Sequence, residues 1–117
     1  MLWIILGLIA LGLVVFTVVA LNLKWFLNRL RSKKTAMPNI KKVMLADLST
    51  LANSCDNTVK LDQLRDLVDK GITHVMADID DDGNVVGNIE AIKDTNQSLD
   101  DEVNKILGQD RMVVVEV

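Results

Sequence analysis

The residues with the most chemistry to offer lie between positions 73 and 97. Asp78-Ile-Asp80-Asp-Asp82-Gly83 sets carboxylates at alternate positions and ends on a glycine. A hard cation such as Ca²⁺ or Mg²⁺ takes its oxygen ligands in that order before a sharp turn. The EF-hand pattern is not met: the sixth residue after Gly83 is Ile89, and Glu90 arrives one place late. The flanking periodicity is also that of strands. A looser divalent-cation site on Asp78, Asp80 and Asp82 is one reading; an acidic hairpin tip, where Asp and Gly are favoured on backbone grounds, is the simpler one.

His74 is the sole histidine and Cys55 the sole cysteine. One cysteine excludes an intramolecular disulfide framework or a CxxC zinc site. Cys55 has no basic neighbour in sequence to lower its pKa, so it reads as a small apolar residue or an idle thiol. Asp78 is the carboxylate that shares a strand face with His74, and no nucleophile motif such as GxSxG accompanies it. The ring therefore reads as a surface or hydrogen-bonded histidine rather than a general base. Walker motifs, Gly-rich phosphate loops and paired active-site carboxylates are absent. No enzyme and no cofactor is expected. Thr73, His74, Asn84, Asn88, Asn96 and Gln97, polar residues near a hairpin and a helix, are the expected lining for a small ligand.

The elements that would position these groups can be read from periodicity. Pro38 precedes a helical spacing of Met44, Leu48, Leu51, Ala52 and Cys55, so a helix is expected from Asn39 to about Asn53. A second helix runs from Thr58 to Lys70 on Leu61, Leu64, Leu67 and Val68, stopped by Gly71. Residues 72–92 change to a period of two. With Asp81-Asp82-Gly83 as a three-residue loop, Ile79 should face Val85, Ala77 face Gly87, and Val75 face Ile89. Ser98 caps a third helix that ends at Gly108, and residues 111–117 form a β-branched final strand. The expected fold is a small α+β domain over residues 43–117, in the order α-α-β-β-α-β with an antiparallel hairpin.

Ahead of it, residues 1–23 carry no charge. As a helix they would span about 34 Å, enough for a ~30 Å hydrocarbon core, with Trp3 and Trp25 at the two boundaries. A single N-terminal transmembrane helix is expected. Residues 24–42 hold seven positive charges, Lys24, Arg29, Arg31, Lys33, Lys34, Lys41 and Lys42, and no negative one. The positive-inside rule then predicts a single-pass protein of the cell membrane, N-terminus outside and domain cytoplasmic. Lys24, Arg29, Arg31, Lys33 and Lys34 would lie on anionic headgroups of the bilayer. Residues 43–117 hold six basic and all 16 acidic residues, a balance of −10, which argues against binding double-stranded nucleic acid.

A 75-residue domain without aromatics has little apolar area to bury, so a homo-oligomer is expected. The layout resembles small membrane effectors of bacterial defence or signalling. The basic connection between span and domain, with a domain too small to be stable alone, leads to the expectation of a membrane-anchored sensor–effector whose cytosolic domain binds a small molecule, such as a nucleotide messenger, and couples it to the membrane helix in a homo-oligomer. The alternatives are a membrane-tethered adaptor of a larger complex and a divalent-cation responder.

Overall fold

Four consecutive residues, Val43, Met44, Leu45 and Ala46, have no exposed surface, and they belong to a strand at the centre of the fold. In a computed structural model of the chain, residues 14–36, 42–54, 58–79 and 85–116 are described. The elements are β1 (Val14–Val19), α1 (Leu23–Ala36), β2 (Lys42–Asp47), α2 (Leu48–Ser54), α3 (Thr58–Asp69), β3 (His74–Ile79), β4 (Val85–Asp94), α4 (Asp101–Leu107) and β5 (Met112–Glu116). The five strands form one sheet in the order β1-β4-β3-β2-β5. β1 runs parallel to β4, and the other three pairings are antiparallel.

Helices cover both faces of the sheet. On one face, Met44, Ala46, Val75, Ala77, Ile79, Ile89 and Ala91 pack with Leu48 and Leu51 of α2 and Leu64 of α3. On the other, Val43, Leu45, Met76 and Ile92 pack with Phe26 and Leu30 of α1 and Val103 and Leu107 of α4. The result is a small mixed α/β domain of three layers.

This overturns the expected fold class. The described part of the apolar N-terminal run, Val14–Val19, is a strand whose register along β4 runs from Val14 opposite Ile89 to Val19 opposite Asp94. No helix among the described residues is long and apolar enough to cross a membrane, so the transmembrane, bitopic reading is withdrawn; residues 1–13 lie outside the described residues. The physical reason is that apolarity demands escape from water without specifying the refuge. A segment rich in β-branched residues can satisfy its backbone against a neighbouring strand as well as within a helix.

The expected helix from Asn39 to Asn53 is likewise corrected, to β2 followed by α2. A central strand buried on both faces loses the alternation that marks a half-buried one, and a short apolar run then resembles one face of a helix. Residues 24–36, expected as part of a basic collar, belong to the helix α1. Asn22 caps it, its Oδ1 accepting the Trp25 N–H at 2.8 Å.

Elsewhere the periodicities hold. α3 ends as expected at Gly71, whose φ is 86°. The Ile72 N–H donates to the Leu67 carbonyl and the Gly71 N–H to that of Val68, the paired bonds of a Schellman cap. Ile79 does face Val85, but Ala77 faces Ile89 and Val75 faces Ala91, because the register shifts between Ala77 and Ile79. A slip of two residues keeps every side chain on its face, so the apolar pattern tolerates it. α4 is capped by Asp100, which accepts the Val103 N–H, rather than by Ser98.

Candidate functional site

At one end of the sheet the carboxyl ends of β1, β2 and β4 meet the amino ends of β3 and β5. Ligands of open α/β sheets seat outside strand carboxyl ends, where connections diverge and leave a crevice. Here the crevice is a recess of about 320 Å³ lined by Asp47, Ser49, Ile72, Thr73, His74, Asp94, Asn96, Gln97, Ser98, Leu99 and Arg111.

Each wall is built by local structure. β2 ends at Asp47, whose Oδ1 accepts the Thr50 N–H at 3.3 Å and so caps α2. Its Oδ2 lies 3.8 Å from Nη2 of Arg111, close enough for charge attraction and too long for a hydrogen bond. Arg111 has a φ of 57°, and among the described residues it is the sole non-glycine in the left-handed region. For an L-residue with a Cβ that conformation costs about 1–2 kcal/mol. It is held by the Asp47 N–H donating to the Arg111 carbonyl at 2.9 Å and by Nη1 donating to Oδ1 of Asn104.

At the end of β4, Asp94 Oδ1 accepts the N–H groups of Leu21 and Asn96, each at 3.0 Å. The Asn96 side-chain amide donates to the Leu21 carbonyl at 2.9 Å. These bonds fasten the turn between β1 and α1 to the rim of the recess.

His74 opens β3 and is 5 % exposed. Its Nδ1 lies 2.8 Å from the Thr73 hydroxyl, while Nε2 is buried without a hydrogen-bond partner. Burial pushes the imidazole below its ordinary pKa of 6.5; the carboxylates of Asp47 and then Asp94 oppose this, and the Arg111 charge adds to it. The ring is therefore neutral at pH 7. The expectation of a surface or fully satisfied histidine gives way to a buried one with an open valence.

Of the six polar residues expected to line a ligand site, Thr73, His74, Asn96 and Gln97 come together in this recess. Asn84 lies outside the described residues, and Asn88 sits on β4 six positions before Asp94, about 20 Å away along a strand. Asp47, Asp94 and Arg111 escaped the sequence reading. Asp47-Leu-Ser-Thr50 carries a helix-cap signal that becomes legible only once the preceding residues are recognised as a strand.

A second group of charges lies inside the layer between sheet and α1. Glu90, 4 % exposed, accepts from Arg29 through both oxygens, at 3.1 and 2.7 Å, and from the Thr17 hydroxyl at 2.6 Å. Asp78, 2 % exposed, has Lys33 Nζ 2.9 Å from Oδ1. That ammonium is not aligned for a hydrogen bond, and Oδ1 keeps no directional donor; the contact is one of charge alone. Arg29 and Lys33 thus face the sheet, while Lys24, Arg31 and Lys34 are exposed. Asp80 and Asp82 lie outside the described residues. Among the described residues no three His, Cys, Asp or Glu side chains are grouped to hold a metal.

A larger groove of about 500 Å³ runs between α1 and the start of α4, along Lys24, Leu27, Arg31, Asp100 and Glu102. Neither of the orphaned buried atoms lies in it. No family model, no curated protein and no solved structure matches this chain.

Proposed function

We propose that this protein is a non-catalytic binding module whose recess at His74 receives one small polar molecule. The observation that carries the reading is the buried Nε2 of His74, a polar atom with no protein partner on a residue that lines the crevice. Leaving such an atom unpaired costs about 1–3 kcal/mol, which a bound ligand would recover. Arg111 supports the same reading: strained backbone gathers where a side chain is aimed for function. The recess also lies near the lower end of the volumes that hold small ligands. Occupancy would be sensed by the N-terminal unit, because Asp94 and Asn96 both line the recess and hold the β1–α1 turn.

Thermal unfolding of the full chain against small polar compounds graded by charge tests this. At a hundredfold excess over Kd a ligand stabilises by about 2.7 kcal/mol, which for a chain of this size is a rise of roughly 10 °C in Tm. His74→Phe, which removes Nε2, should lose that rise. A panel without a single stabilising compound, or equal stabilisation of wild type and His74→Phe, defeats the proposal.

A further inference from the structure

The hydrogen bonds around Thr73 narrow the chemistry of the molecule that fits, on the premise that the recess is a binding site. A threonine hydroxyl has one proton to give and two lone pairs to fill. Thr73 Oγ1 accepts the Asp94 N–H at 3.2 Å, lies 3.2 Å from the Ile92 carbonyl, and lies 2.8 Å from His74 Nδ1. Because the carbonyl can only accept, one arrangement alone makes hydrogen bonds of all three contacts, and in it the hydroxyl proton goes to the carbonyl. The contact with the ring is then a bond only if Nδ1 carries the imidazole proton and donates it to Oγ1. In that arrangement all three valences of the hydroxyl are used. The consequence is a bare lone pair on Nε2, the atom that has no partner. The open valence is an acceptor, and what completes it is an N–H or O–H donor.

Charge selects further. The recess holds two carboxylates, Asp47 and Asp94, and one guanidinium, Arg111, with His74 neutral. Arg111 is compensated by Asp47 at 3.8 Å. Among the described residues the Asp94 carboxylate takes only backbone amides, on Oδ1, which orient it without cancelling its charge. In the sheet β4 lies beside β3, with His74 opposite Ile92, two residues before Asp94. An uncompensated negative charge and an unpaired acceptor therefore stand on adjacent strands. A phosphate or carboxylate brought here would meet both with the wrong sign.

We infer that the recess binds a small organic cation bearing N–H groups, with His74 Nε2 accepting one N–H and Asp94 balancing the charge. Nucleotide phosphates, the class suggested by layout, fit this wall poorly.

Nuclear magnetic resonance on the ¹⁵N-labelled full chain tests the inference in two steps. In the free protein at neutral pH, the His74 ring should show a protonated Nδ1 and an unprotonated Nε2. Methylguanidinium and ethylammonium should then shift the amides of Thr73, His74, Asp94 and Asn96 and the Nε2 resonance, whereas acetate of equal concentration should not. Asp94→Asn keeps an oxygen for the two backbone amides and removes the charge, and should weaken cation binding by about tenfold, or 1.4 kcal/mol. A protonated Nε2, or acetate binding in place of the cations, overturns the ligand class and leaves the recess standing as a site. Failure of both cations and acetate to move any recess resonance overturns the site itself.

Discussion

The two faces of the sheet are held by different physics. Against α2 and α3 the described residues of the sheet bury only apolar side chains, from Met44 and Ala46 through Val75, Ala77 and Ile79 to Ile89 and Ala91. Against α1 it offers two buried carboxylates, Asp78 and Glu90, set among Val43, Leu45, Met76 and Ile92. Apolar contact scales with area and discriminates weakly between neighbouring registers. Charge contact is the reverse. Removing two ions from water offsets most of what their attraction returns, so a buried pair adds little net stability, yet losing one partner is severe. Arg29 and Lys33 are four residues apart and so lie one above the other on α1. They meet Glu90 and Asp78 together in one placement of the helix. The apolar face supplies cohesion, and the charged face fixes where α1 sits.

The largest effect should come from orphaning the most buried charge. Lys33→Met leaves Asp78, 2 % exposed, without its cation and should cost about 3–5 kcal/mol in urea unfolding. Adding Asp78→Leu to that variant should return most of the loss. If the double variant is as unstable as the single one, Lys33 acts through packing and the contrast between the faces dissolves.

On the apolar face, Leu64→Ala should cost about 3 kcal/mol through lost burial and a residual cavity. Since no charge is involved, its penalty should be the same at low and high salt; a salt-dependent penalty would contradict the assignment. Arg29→Met should cost less, about 1–2 kcal/mol, because the Arg29 side chain is 41 % exposed and the Thr17 hydroxyl still bonds Glu90.

The smallest effect concerns the sheet's end. Burial keeps the folded-state pKa of His74 below 6.5, so on acidification the unfolded chain takes up the proton first. The contribution is complete above pH 6.5 and declines as pH falls through and below that value. Titrating stability from pH 7.5 to 5 should show a loss in wild type beyond that of His74→Phe; matching slopes would place the imidazole in water.

Several elements were legible because their signals are local. α3 follows from Leu64 and Leu67 with Gly71 behind them, α4 from Val103 and Leu107 with Gly108 as its stop, and β5 from its valines. The alternation of residues 72–92 identified β3 and β4 and their faces, although not the shift between Ala77 and Ile79. β2 was illegible because burial on both faces removes alternation. β1 was misread because a greasy stretch looks the same whether it leaves water for lipid or for another strand. Four of the eleven residues lining the recess were visible as polar residues close in sequence, Thr73 with His74 and Asn96 with Gln97. Asp47 and Arg111 were not, since only strand pairing brings positions 47, 74, 94 and 111 to one end of the sheet.

By itself, then, the order of residues determined which segments leave water, where α3 and α4 stop, and which side chains of the β3–β4 hairpin share a face. These depend on turn geometry and on periods of 2 and 3.6 residues, properties of a few neighbours. Tertiary structure alone decided that Val14–Val19 would find β4, that Arg29 and Lys33 would face carboxylates, and that a lone histidine would be left with an open valence in a recess. Those outcomes depend on partners tens of residues away, and no local pattern encodes which surface an apolar or charged segment will meet.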